Sequence, residues 1–173
     1  LAMVLLIMLF RSILIPVLAS LGFLVSLATS FGLTVAVFQW GWLGSIFKLK
    51  EGQPILSLLP IIIVGILFGL AMDYQVFLVS RIHEAHSRGL STKEAVHYGF
   101  GRSAAIVGAA SVIMASVFFG FGFSGGSALV ASLAFALATG VLIDAFVVRM
   151  ILIPAMLTLI DEKSWRMPAW LDR

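Results

Sequence analysis

Four stretches of this chain are long and apolar enough to cross a membrane as single helices. They run over about residues 13–38, 54–81, 102–121 and 127–160. A hydrocarbon core of ~30 Å is crossed by ~20 helical residues. Lipid offers no partner to a backbone N–H or C=O, so spans of this kind are helical. An earlier apolar stretch, about residues 1–10, covers only ~15 Å of helix and reads as the end of a helix that begins upstream. The expected fold is therefore all-α: a polytopic membrane helix bundle of four full transmembrane helices plus one truncated N-terminal helix. Composition agrees. Hydrophobic residues make up 61% of the chain and charged ones 11%, where a soluble domain has about half and a quarter. Cysteine is absent, which excludes disulfides and thiolate metal sites.

The basic residues orient the bundle. Arg11, Arg81, Arg88, Lys93, Arg102, Lys163, Arg166 and Arg173 fall on one side and only Lys48 and Lys50 on the other, with Arg149, inside the last span, unassigned. Cytoplasmic connections collect lysine and arginine, so the connection 82–101 and the tail 161–173 are expected in the cytoplasm. Trp40 and Trp42 would mark the outer interface, Trp165 and Trp170 the inner one. Within the inner connection Gly89 can stop a helix. "STKE" at Ser91–Glu94 has the spacing of a capping box and would start a short helix towards Tyr98. Pro16, Pro54 and Pro60 sit near helix starts, and Pro154 should kink or end the last helix.

Two catalytic-looking patterns fail on context. "GFGFSGG" contains both G-x-G-x-x-G and G-x-S-x-G, but each requires a preceding strand, and here the stretch joins two helices. "RIHEAH" spaces His83 and His86 three apart, where the zinc-protease motif needs four, and no third ligand is apparent. No metal or cofactor is expected.

Small residues recur every four positions: Gly65 and Gly69, then Ser132, Ala136 and Gly140, with a similar stripe at Ala104, Gly108, Ser111 and Ala115. Such stripes let membrane helices approach closely. Two of them end in acids, Asp73 and Asp144. Asp73 lies 13 residues beyond Pro60 and eight before Arg81, deep in its span, where an acid costs ~2.5–3.5 kcal/mol and normally faces an interior or a wet cavity. Desolvation favours the neutral form of a carboxyl, so such an acid can take up and release a proton. Tyr74 is about 100° further round the helix and is better placed to reach an acid on another helix than its own neighbour. Asp144 and Arg149, five apart, would be about 140° apart on an α-helix, which speaks against an intrahelical salt bridge. Both read as anchors between helices.

Two intramembrane acids also raise the possibility of an intramembrane aspartyl protease. That family carries Tyr-Asp on one helix and Gly-x-Gly-Asp on the other; here the first is reversed and the second reads "GVLID". A non-enzymatic role fits better. A membrane-embedded scaffold or regulatory subunit, with Asp73 only packing, is a further alternative.

In "FRSILIP", "GLAMDYQVFLVSRIHEAHSRG", "EAVHYGFGRSA" and "GVLIDAFVVRMILIPAMLTLI" the chain resembles MMPL (mycobacterial membrane protein large) transporters of the resistance-nodulation-division superfamily. The resemblance covers nearly the whole chain and implies the C-terminal membrane domain of a twelve-helix exporter. In that family an Asp-Tyr pair from each half meets at the centre, each aspartate near the other half's tyrosine. By that likeness Asp73 and Tyr74 form one pair of a proton relay, and Gly69 and Phe77 line the adjoining pocket. The implied partners are a lipid or lipid-linked cargo, the N-terminal half of the same transporter and membrane lipids, with protons as the coupling ion and no nucleic acid. The implied location is the bacterial cytoplasmic membrane.

Overall fold

The computed structural model describes residues 14–42, 58–124 and 127–160. Every element in them is helical. Helix α1 (Leu14–Thr34) continues into a π-helical turn, π1 (Val35–Gln39); α2 spans Leu59–Ser87, α3 Thr92–Phe123 and α4 Ala128–Leu142. Helix α4 then runs through a longer π-helical segment, π2 (Ile143–Leu152), into α5 (Ile153–Ile160). Four helices in this set are long and apolar enough to cross a membrane: 14–39, 59–87, 103–123 and 128–159. The expected partial helix at 1–10, Lys48, Lys50, Pro54 and the tail with Trp165 and Trp170 lie outside the described residues.

The connection between α2 and α3 is much shorter than its polar sequence implies. Helix α2 persists six residues past Arg81 and stops at Arg88–Gly89, where Gly89 takes φ +93°. That left-handed conformation is open to glycine without a Cβ clash. Two residues later the Ser91 hydroxyl accepts from the Glu94 amide, while the Glu94 carboxylate accepts from the Ser91 amide and hydroxyl. These bonds hold the exposed Glu94 carboxyl below its ordinary range.

The helix begun there does not stop near Tyr98. It runs unbroken to Phe123, because Gly99 packs rather than breaks. A Cβ on Gly99 would lie 2.9 Å from the Ile82 backbone nitrogen and 2.7 Å from Ile82 Cγ1, so α2 and α3 meet there nearly backbone to backbone. Gly99→Val should force the hairpin apart and cost about 1–3 kcal/mol, as overpacking does. A melting curve in detergent checks this; an unchanged midpoint would show that the contact yields freely.

Pro154 does not end the last helix, which continues to Ile160. It lies in the first turn of α5, where π spacing hands back to α spacing. A hydrogen bond is forfeited at such a change of register in any case, so the missing N–H of proline costs little there.

The span containing α4, π2 and α5 is the central one. It packs on α1, α2 and α3, and its apolar window is 56% buried, against 22% for α3. Apolar clusters fill the bundle from the α2–α3 elbow, around Val79, Ile82 and Val148, through Ile63, Leu67 and Ala136 to Phe38 and Phe135 near the far end. The outward faces are also apolar: Ile61, Ile106, Ile113 and Ile151 are all exposed. Water tolerates no such continuous apolar exterior; a bilayer solvates it.

Candidate functional site

One turn of α2, Ala71–Gln75, carries the groups of interest on separate faces. Successive side chains are rotated by about 100°. Ala71 and Gln75 are buried, Tyr74 is half-buried, and Asp73 is exposed. Among the described residues nothing covers the face that carries Asp73. Gly65 and Gly69 share its exposed face, and a Cβ on either would meet nothing within 4 Å. The small-residue stripe that ends in the acid therefore has no partner among the described residues.

Asp144 and Arg149 correct the sequence reading more sharply. They form an intrahelical salt bridge, with Arg149 Nε 2.6 Å from Asp144 Oδ2. The 140° separation holds for an α-helix, whereas a π-helix closes its hydrogen bonds on the fifth residue. Residues five apart then fall on the same face, close enough to pair, and π2 contains both. The pair is buried, Arg149 at 2% and Asp144 at 7% exposure.

The ion pair also joins three helices. Arg149 Nη1 donates to Gln75 Oε1 at 3.2 Å, and Nη2 donates to the Ala71 carbonyl oxygen. From α1, Ser26 Oγ donates to Asp144 Oδ1 at 3.3 Å. The guanidinium carbon stands 5.8 Å from the centre of the Tyr74 ring, within the range of a cation–π contact. The planar guanidinium presents donors in fixed directions, so one side chain can bind a carboxylate, an amide and a carbonyl at once.

Phe23, Ser26, Leu67, Leu70, Ala71, Tyr74, Gly140, Val141 and Asp144 enclose a cavity of about 10 Å³ beside this cluster. That is about the space of one water molecule. Its walls bring Tyr74 and Asp144 to one small space. Neither Gly69 nor Phe77 lines it: Gly69 faces outward, and the Phe77 ring lies 5.7 Å below the Arg81 guanidinium. Gly140 supports the cavity wall by closeness, since a Cβ there would lie 2.6 Å from Leu67 Cδ1.

The two aspartates face different surroundings. Asp144 is committed to Arg149, while Asp73 lies on the outer face of α2. An aspartyl dyad needs two carboxyls sharing one site, and these are not so placed.

Sequence reasoning missed Gln75 and the serines of α1. Ser26, Ser30 and Thr34 are all buried, and Ser30 Oγ donates to the Ala136 carbonyl oxygen at 2.6 Å. Their spacing of four was visible as a polar stripe on an apolar span. Gln75 carried a weaker signal, a neutral amide two residues from the acid.

Comparison with known proteins places the sequence in a family. The sequence profile of the MMPL family matches residues 1–171. Membrane protein YdfJ of Bacillus subtilis is 46% identical over 172 residues, covering 99% of this chain and 24% of YdfJ. The mycolic acid-containing lipids exporter MmpL11 of Mycolicibacterium smegmatis is 40% identical, over 99% of this chain and 18% of its own length. The trehalose monomycolate exporter MmpL3 of the same organism is 35% identical, over 98% and 17% respectively. The chain thus spans between a sixth and a quarter of the length of these relatives. Matched along nearly its whole length and built from membrane-crossing helices, this chain belongs to the MMPL family.

Proposed function

We propose that this chain is the second-half membrane domain of a proton-driven exporter of lipids or lipid-linked molecules in the bacterial cytoplasmic membrane. Two relatives are named as lipid exporters, which supports the cargo class. The observation that carries the mechanism is Asp73, an acid within a membrane span on a face without a partner among the described residues. An exposed carboxylate in lipid is costly, so the reading puts the first half of the transporter against this face. There Asp73 exchanges protons with that half's Asp-Tyr pair, and Tyr74 serves the relay beside it. Gly65 and Gly69 allow the close approach, and Phe77 lies one turn further along towards the cytoplasm. Asp144 and Arg149 anchor the last span to α1 and α2 behind the relay.

The test is export of a labelled lipid by the complete transporter in proteoliposomes. Transport should follow an imposed proton gradient and stop when an ionophore dissipates it. Equal transport without a gradient would refute proton coupling.

Orientation is tested separately. The reading puts the α2–α3 elbow and the C-terminus in the cytoplasm. In intact cells a cysteine at Ser124 should react with an impermeant maleimide, and one at Ser87 should react only after lysis. Labelling of Ser87→Cys from outside would invert the topology.

A further inference from the structure

We infer that Gln75 is a positioning residue, which holds Arg149 against the α2 turn carrying Asp73 and so ties the relay acid to the last span. The inference rests on the proton-relay reading of Asp73 and adds to it a physical connection between proton and movement.

The connection is read from the geometry of one guanidinium. Arg149 grips α2 through two acceptors one turn apart, the Ala71 carbonyl and Gln75 Oε1. These bracket Asp73 in sequence and lie on the face opposite to it. The other end of the same rigid plane is fixed to Asp144 within π2. A small rotation of the turn that moves Asp73 therefore also moves Arg149, and through it π2.

The two acceptors contribute differently. The Ala71 carbonyl belongs to the backbone ladder of α2, where it already accepts from the helix. Gln75 Oε1 is a side-chain acceptor, 3.2 Å from Nη1, and the residue is 3% exposed. Without it, Arg149 keeps on α2 only the shared Ala71 carbonyl and the face of the Tyr74 ring, and rotation of the turn is passed less firmly to the last span. The π2 segment suits this transmission. Single π turns inside α-helices recur at functional sites, and here the π spacing brings Arg149 over Asp144.

The experiment measures cargo exported per proton entering, in proteoliposomes of the complete transporter, for wild type and for variants at position 75. A residue that only packs changes how much protein folds, but not this ratio in the protein that does. Gln75→Met preserves length and removes the acceptor; the ratio should fall about ten-fold, as expected when a hydrogen bond to a charged group is lost. Gln75→Glu retains an acceptor at the same reach and should keep the ratio near wild type. If Gln75→Met does not fold, Gln75→Asn carries the same expectation, since its amide stops one methylene short. A wild-type ratio in the folded Met or Asn variant overturns the inference, whatever the total rate. Failure of the underlying reading is seen separately: Asp73→Asn would then export at the wild-type rate.

Discussion

Asp73→Asn in the complete transporter should abolish gradient-driven export while leaving expression and melting temperature close to wild type. The substitution keeps the volume and one carbonyl oxygen but removes the group that titrates. The structure gives a reason for the stability to survive. No hydrogen bond or ion pair among this chain's described residues depends on Asp73, and towards the first half the asparagine keeps a carbonyl acceptor. Losing one proton-transfer group typically slows a step by about 100- to 10,000-fold, so residual export should be near background. Tyr74→Phe, which removes only a hydroxyl, should slow export in the same direction. The measurement is lipid export under an imposed gradient, beside melting curves of each variant. A folded Asp73→Asn protein that exports normally would leave Asp73 with a packing role only.

Arg149→Met should do the reverse and act first on stability. Arg149 holds Asp144, Gln75 and the Ala71 carbonyl together. Removing it leaves the Asp144 carboxylate buried, with only the long bond from Ser26. Breaking a buried ion pair by deleting one partner costs about 3–5 kcal/mol, a large part of a domain's total stability. Expression and thermal midpoint should both fall. Asp144→Asn should fall in the same direction, by stranding the arginine charge. Arg149→Lys should recover little, because an ammonium lacks the planar fork that reaches three acceptors. The double variant Asp144→Leu with Arg149→Met should be more stable than Arg149→Met alone, since it leaves neither charge unpaired. Thermal unfolding of the four variants beside wild type decides the point. A melting temperature for Arg149→Met within error of wild type would show that the cluster does not anchor the helices.

The contrast between these acids shows where sequence reasoning reached and where it stopped. Membrane crossing was legible because hydropathy over ~20 residues is a property of composition and length alone. The capping box at Ser91 and the stop at Gly89 were legible because each depends on residues a few positions apart. The salt bridge at Asp144 was not. Its spacing of five argues for separation in one helix type and contact in the other, and the residues themselves do not state which type they adopt. The exposed position of Asp73 was equally hidden, since a stripe of small residues records that something packs closely but not what. Gly99 was obscured by the usual association of glycine with helix ends, whereas its role depends on Ile82 in another helix.

Helix α2 has a mechanical consequence beyond its chemistry. Its 29 residues give a rod of about 43 Å, and the hydrocarbon layer is only ~30 Å thick. The rod must overshoot the layer or tilt within it. The distance along its axis from Asp73 to Arg88 is about 22 Å, and the close seam at Gly99 makes α2 and α3 move as one stiff paddle over that length. A tilt of about 5° pivoting at Asp73 would swing the paddle's tip by about 2 Å, enough to register on a fluorophore pair but small for any side chain at the pivot. The elbow at Gly89 is thus the natural place to watch a displacement that begins in the middle of the membrane.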